Sequence, residues 1–416
     1  MRKFTSACFC VFLSFGIARA QLLYNNGADM AVSGGGVLFV DGAVENANSG
    51  FLSNAGQTTI RGFFRNGSLA TGGGTNGEYI VFGDWENNNT FTADQSLVRL
   101  RGAAQLITGS SVTSFYDLAL ENGSVKTQTL DANTTHLLSL GTSELATTDF
   151  KMTVTNTSPA AITRLSGFVS STGPGRLVRY TNAVDLYGFP TGWNDNGTVY
   201  YRPVEIKPSV SDAQNFEVRM GYGDATAEGY DISNKAGDVS VVNAKFFHLV
   251  KQIGSIEPSE LSIYYLPAKD STWNSIGRWE PQWQDLKEVV INQGAPYFHN
   301  TKKLWADNGN EPHILINAKE AEVLFNFPNV FTPDGNGVND FFGIINQLNL
   351  VTLEELKVFN RWGEPVFDSQ RDGKKDWDGK YQGQVQLMGN YVYEAQVKVN
   401  STGEIKSARG NLSLLW

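Results

Sequence analysis

Gly42-Ala43-Val44-Glu45-Asn46, Gly62-Phe63-Phe64-Arg65-Asn66 and Gly83-Asp84-Trp85-Glu86-Asn87 repeat one pattern. It is glycine, any residue, an apolar residue, a charged residue, asparagine. The glycines are 20 and 21 residues apart. Each follows a short β-prone run: Val37-Leu38-Phe39-Val40, Thr58-Thr59-Ile60 and Tyr79-Ile80-Val81-Phe82. A weaker beat continues through Gly102, Asn122-Gly123 and Gly141, in steps of 19, 21 and 18 residues. Short strands at a near-constant period predict stacked coils, a β-solenoid, over residues 21–180. In such a stack Val44, Phe64 and Trp85 point inward. Asn46, Asn66 and Asn87 can hydrogen-bond from coil to coil. The glycines are read as corners with positive φ. An evenly spaced, Gly-rich β-sandwich is the alternative.

Upstream, Arg2 and Lys3 precede the apolar run from Ala7 to Ile17, and Ala18-Arg19-Ala20 offers a small-x-small cleavage site. Residues 1–20 therefore read as a secretory signal peptide, too short to span a bilayer. No later stretch is apolar enough for a transmembrane helix. Both cysteines, Cys8 and Cys10, lie in that leader. A chain cleaved after Ala20 would have no disulfide and no thiolate nucleophile or ligand.

Downstream, composition shifts near Gly173-Pro174-Gly175 to longer, aromatic-rich strands, and residues 181–320 read as a β-sandwich. Gly173-Pro-Gly-Arg-Leu-Val-Arg179, Tyr187-Gly-Phe-Pro-Thr-Gly192 and Tyr201-Arg-Pro-Val204 together resemble a unit common in surface proteins of Bacteroidetes. Trp273, Trp279 and Trp283 fall within eleven residues. They either form a glycan-binding platform, or fill sandwich cores or cover an interdomain seam, and the core-or-seam reading is preferred.

Residues 322–416 read as a compact, immunoglobulin-like β-sandwich. Alternate apolar positions Tyr391, Tyr393, Ala395 and Val397 give one strand a core face. Phe327-Pro-Asn-Val-Phe-Thr-Pro-Asp-Gly-Asn-Gly-Val-Asn-Asp-Phe341 resembles the opening of the gliding-motility-associated C-terminal domain of Bacteroidetes. Phe359-Asn-Arg-Trp-Gly363 is similar to its central signature, and Trp377-Asp-Gly-Lys380 to a later motif. The matching positions include Pro333, Asp334, Gly335, Asn339, Asp340, Asn360, Arg361, Trp362, Gly363, Trp377, Asp378 and Gly379. The resemblance implies a type B sorting signal of the type IX secretion system. Its partners would be the translocon and associated outer-membrane proteins. The chain departs from the family pattern in ending at Trp416 rather than a basic residue, and in reading Asp334-Gly335-Asn336-Gly337. Trp362 and Trp377 are both read as core or seam residues.

Asp334, Asn336 and Asp340 occupy spacings like the first, third and seventh ligands of a calcium loop. Ile345 stands where the bidentate glutamate belongs. An Asx-turn loop is the preferred reading, with calcium as the alternative cofactor and no other cofactor implied. Asp84 and Glu86, two residues apart, would share a strand face and are the only carboxylate pair singled out for catalysis. No nucleophile-elbow, zincin or phosphate-loop motif is present. The net charge of −9 becomes −12 without Arg2, Lys3 and Arg19, which argues against a nucleic-acid partner. The reading is an all-β exported protein, cell-surface or secreted, non-enzymatic and adhesin-like or structural. A carbohydrate-active enzyme or a glycan-binding protein is the alternative.

Overall fold

The computed structural model describes residues 22–254, 256–307, 309–319, 325–345, 350–400 and 403–416. The leader, residues 1–20, lies outside the described residues. The chain divides into two compact units, Met1–Lys319 and Glu320–Trp416.

The first unit opens as a β-solenoid of about seven turns. One side is an eight-stranded parallel sheet, from Leu22–Asn26 through Ala43–Ala47, Phe64–Asn66 and Trp85–Asn87 to Phe168–Ser170. A second side has four strands, from Asp29–Val32 to Thr90–Thr92. The third begins at Val37–Val40. The repeat seen in sequence is the register seen in space: Val44 pairs with Phe64 and Phe64 with Trp85, while Asn46 pairs with Asn66 and Asn66 with Asn87. Val44, Phe64 and Trp85 are buried. The Phe64 and Trp85 rings stack with centroids 4.4 Å apart. Such a contact contributes about 1 kcal/mol beyond area burial.

The asparagines form the expected ladder. Asn25 donates to Asn46 at 2.8 Å, Asn46 to Asn66 at 3.1 Å and Asn66 to Asn87 at 3.0 Å, all buried. The next register position is Gly109, which has no side chain to accept, so the ladder stops there. The reading of the glycines holds at Gly123 and Gly141, with φ of +62° and +48°, and needs correction earlier in the stack. Gly62 and Gly83 do not have positive φ. What they supply is room: a Cβ on Gly83 would stand 2.4 Å from the carbonyl carbon of Gly62. One coil's backbone crosses the next too closely for any side chain.

The second side ends at Thr90–Thr92. A bulge between Phe115 and Asp117 interrupts the register of the longer strand Thr113–Leu120 against Ala132–Ser139. Its second half continues the third sheet against Val98, and the strand also packs beside Thr90–Thr92. The third sheet does not stop where the solenoid does. Arg176–Thr181 pairs parallel with Lys151–Val154 on one side and antiparallel with Gln214–Tyr222 on the other. The change near residue 180 is thus a change of pairing direction inside one fifteen-stranded sheet. Opposite its antiparallel part lies a five-stranded sheet containing Tyr187–Phe189, Val204–Pro208, Ser259–Tyr265, Phe298–Trp305 and Val289–Gln293. Val204, Ile206 and Ile263 of that sheet share one core with Phe216, Val218 and Leu315, and with the solenoid interior.

The second unit is built on a five-stranded sheet in the order Val330–Phe331, Ile405–Leu414, Gly389–Val399, Val351–Phe359, Pro365–Asp368. Tyr391, Ala395 and Val397 alternate into its core, as the pattern predicts. Phe331, Phe342, Leu356, Trp377 and Leu412 complete that core. These sheets are consistent with a β-sandwich.

Candidate functional site

In the second unit, Val351–Phe359 and Pro365–Asp368 form a hairpin whose tip is Asn360-Arg361-Trp362-Gly363. Asn360 organises the tip. Its Oδ1 accepts the N–H of Trp362 at 2.9 Å and of Glu364 at 3.0 Å, an Asx turn. Gly363 completes it with φ +79°. Trp362, expected in the core, is instead 80% exposed. At the tip of a two-stranded turn there is no second layer for the ring to enter. Beside it, Leu387 and Met388 are also exposed, and with Trp362 they line a shallow groove of about 100 Å³. The indole Nε1–H of Trp416 donates to the Gln386 carbonyl at 3.1 Å, tying the last residue to that segment.

The other motif residues have structural roles. Trp377 is fully buried against Phe331 and Tyr391, and its Nε1–H donates to the Lys380 carbonyl at 2.9 Å. Asp378 accepts from the Lys380 N–H, and Gly379 at φ +74° allows the turn. Pro333 packs onto that turn, 2.8 Å from where a Cβ on Gly379 would stand. In the Asp334–Asp340 loop, Asp340 accepts the N–H groups of Gly335 and Gly337 at 2.6 and 2.7 Å. Asp334 accepts from the Asn336 N–H, and Asn336 from the Val338 N–H. Asn339 takes a positive φ of 56°. This is the Asx-turn arrangement. Among the described residues, no group of three or more His, Cys, Asp or Glu is placed to hold a metal ion.

In the first unit, Asp84 and Glu86 are each committed to stacking contacts. Asp84 accepts the Leu106 N–H at 2.7 Å, and Glu86 accepts from Arg65 at 2.7 Å and from Asn88 at 2.8 Å. Arg65 also pairs with Glu45 one coil away. Arg99 likewise sits between Glu78 and Glu121. In an in-register stack like charges would face each other, so alternating them removes a repulsion. These ladders were not read from the sequence, although the charged position of each repeat alternates Glu, Arg, Glu.

The glycan platform of Trp273, Trp279 and Trp283 does not form. Trp273 and Trp283 are buried, in two different cores. Trp279 meets Trp283 at 68°, edge to face. Trp273 enters one core from the segment before Ser275–Trp279, and Trp283 enters another from the strand Trp283–Asp285, so the three rings share no coplanar exposed face.

A feature absent from the sequence reading is a cleft of about 280 Å³ in the first unit. Arg179, Gly188, Phe189, Pro190, Tyr201 and Pro203, all from the unit quoted as resembling one of surface proteins, line it. The density of Arg, Tyr, Pro and Gly in that unit was the available signal. Nothing in the sequence says that its three pieces meet.

Residues 325–414 match the family model described as CHU_C Type IX secretion signal domain. No curated protein and no solved structure matches the chain. Among the described residues no helix is long and apolar enough to cross a membrane. The C-terminal unit is a type IX secretion signal domain, and it marks the chain for export to the cell surface or extracellular space.

Proposed function

We propose that residues 22–319 are a non-enzymatic, adhesin-like or structural cargo and that residues 1–20 are the leader that starts its export. The observation that carries this reading is the continuous fifteen-stranded sheet. With no linker between solenoid and sandwich, the sandwich is held rigidly at the end of a stiff stack, as a presenting element requires. The committed states of Asp84 and Glu86 support a role outside hydrolysis. In the sorting unit, the exposed Trp362, Leu387 and Met388 are the surface offered to the translocon and its outer-membrane partners.

The test is expression of the full chain in a type IX-competent bacterium lacking its own copy. Attachment of cells to a glycan-coated surface should rise with the full chain. It should not rise with the same chain shortened at residue 319. Full export with unchanged attachment would reject the adhesin reading. Release of reducing ends from polysaccharides by the purified chain, lost in Asp84→Ala or Glu86→Ala, would replace it with the enzyme reading.

A further inference from the structure

Among the described residues of the first unit, three arginines are buried, and they are not alike. Arg202 is 1% exposed and pairs with the equally buried Asp270 at 2.5 Å. Arg219 is 5% exposed and pairs with Glu228. Arg179, 1% exposed, has no carboxylate partner among the described residues. Its terminal nitrogens donate to the carbonyls of Gly188 at 2.8 Å, Ser158 at 2.9 Å and Pro159 at 3.0 Å. Its Nε is buried with no acceptor. A buried guanidinium without an anion carries an uncompensated desolvation cost. Burial accordingly lowers its pKa to about 10.

This arginine lines the 280 Å³ cleft, near the lower size of small-molecule sites. A second cation, Arg164, lines the same cleft. Its guanidinium lies 3.8 Å from the Tyr201 ring centroid and its Nε–H donates to the Gly167 carbonyl at 2.5 Å. Arg164 too has no ion pair among the described residues. Tyr297 stands edge-on to Tyr201 at 6.0 Å, and the hydroxyl of Tyr264 donates to Glu205. The half-buried cleft thus combines two unneutralised guanidiniums, aromatic walls, and one carboxylate with a hydroxyl beside it.

Each component matches one part of an acidic sugar. A pyranose has an apolar C–H face that packs on aromatic rings. Its hydroxyls bond a carboxylate and phenols. A planar carboxylate or a sulfate pairs with guanidinium in a charge-assisted contact. A neutral sugar would leave both arginines unpaired, and a simple anion would leave the aromatic walls unused. We infer that the cleft between the last solenoid turn and the first sandwich strands binds a hexose unit bearing a carboxylate or sulfate, with Arg164 and Arg179 facing its anionic group. Binding by the purified chain does not depend on whether the protein adheres to cells, so this goes beyond the reading above.

The experiment is titration calorimetry of purified residues 22–416 against three oligosaccharide sets. They are oligogalacturonate with its methyl ester, a sulfated galactan oligomer with its desulfated form, and a neutral gluco-oligomer. The expected result is binding of one acidic set, weakened at least tenfold by esterification or desulfation. The carboxylate and sulfate arms identify which anion is taken. Arg164→Gln, a half-exposed change that keeps the fold, should weaken binding at least tenfold, and Tyr297→Ala should do likewise. A matching melting midpoint checks that each variant is folded. Arg179→Lys tests the buried cation in the same way. If it lowers the midpoint, the Arg164→Gln result alone decides. No binding of either acidic set at millimolar concentration would overturn the inference. So would equal affinity for acidic and neutral forms, or unchanged affinity in folded Arg164→Gln.

Discussion

The Nδ2 of Asn46 donates to the Oδ1 of Asn66 at 3.1 Å, in a place where neither side chain is reached by water. Each amide in this line is held by the one before and the one after, and Asn66 also donates to the Thr90 carbonyl at 2.8 Å. A single loss therefore strands acceptors on the far side of the line. Asn66→Ala leaves the Oδ1 of Asn87 and the Thr90 carbonyl without their Asn66 donor, while Asn46 keeps the Gly50 and Thr71 carbonyls. It should cost roughly 3 kcal/mol, since each orphaned buried group costs about 1–3 kcal/mol. Asn66→Asp should be worse, because the charge is buried and its acceptors face Asn87 Oδ1. Chemical denaturation of the full chain, followed at Trp85, measures both. Loss of under 0.5 kcal/mol in Asn66→Ala would show that the ladder contributes nothing net.

The glycines separate steric from conformational demands. Gly83 has ordinary φ, but its Cβ would meet the neighbouring coil's backbone at 2.4 Å. Gly197 has φ +90° with nothing within 4 Å of its Cβ. Gly83→Ala should therefore be the more damaging of the two, by more than about 2 kcal/mol, because coil spacing must open. Gly197→Asn should cost about 1 kcal/mol or less, since asparagine tolerates the left-handed region. Melting midpoints of the two variants give the order. The reverse order would mean that the coils yield easily at Gly83.

How much of this was legible depended on distance along the chain. The solenoid was readable because contacts recur every twenty residues, so Val44, Phe64 and Trp85 report the same environment three times. The role of Gly62 and Gly83 was not, because positive φ and close backbone approach both select glycine and differ only in space. Trp362 and Trp377 looked alike as motif tryptophans. Only the hairpin register places one at a tip and the other beneath the sheet. Arg164 and Arg179 line one cleft with Tyr297 from more than a hundred residues away, and no local pattern encodes that arrangement.

The buried histidines make the first unit sensitive to acid. His313 faces His248 across the strands Phe246–Ile253 and Pro312–Ala318. Its Nε2 accepts the Trp305 Nε1–H at 2.8 Å, so its Nδ1–H must donate to the Glu311 carbonyl at 2.7 Å. A proton added at Nε2 would point at another N–H. Burial, with Arg278 nearby, lowers the His313 pKa to about 3. Burial likewise lowers that of His248, which donates to the Arg202 carbonyl and lies near that guanidinium, to about 4. In the unfolded chain both titrate near 6.5. Below that pH the unfolded state takes up protons that the folded state refuses. The stability is full above about 6.5 and is lost as pH falls toward 4 and then 3, by on the order of a few kcal/mol. Denaturation midpoints between pH 7 and 5 should fall more steeply in the parent chain than in His313→Gln, whose Oε1 can still accept from Trp305. Parallel slopes would show that His313 titrates normally.

The two motif tryptophans of the sorting unit should fail in opposite ways. Trp377 is enclosed by Phe331 and Tyr391 and anchors the Lys380 carbonyl, so Trp377→Ala should cost about 3–5 kcal/mol and unfold the unit. Trp362 is 80% exposed, and its side chain supports nothing in the hairpin, since the Asn360 carboxamide holds the tip through backbone N–H groups. Trp362→Ala should leave the melting midpoint within about 0.5 kcal/mol of the parent. If the exposed ring, with Leu387 and Met388, is what the translocon reads, export should nevertheless fall severalfold. The assay fuses residues 322–416 to a fluorescent protein behind a signal peptide in a type IX-competent bacterium. External fluorescence is then compared with periplasmic retention. The parent fusion should be exported, Trp377→Ala retained because it is unfolded, and Trp362→Ala retained although it is folded. Normal export of a folded Trp362→Ala, Leu387→Ala double variant would move the recognition surface elsewhere on the unit. Retention of the parent fusion, beside an exported control signal domain, would show that residues 322–416 do not suffice for sorting.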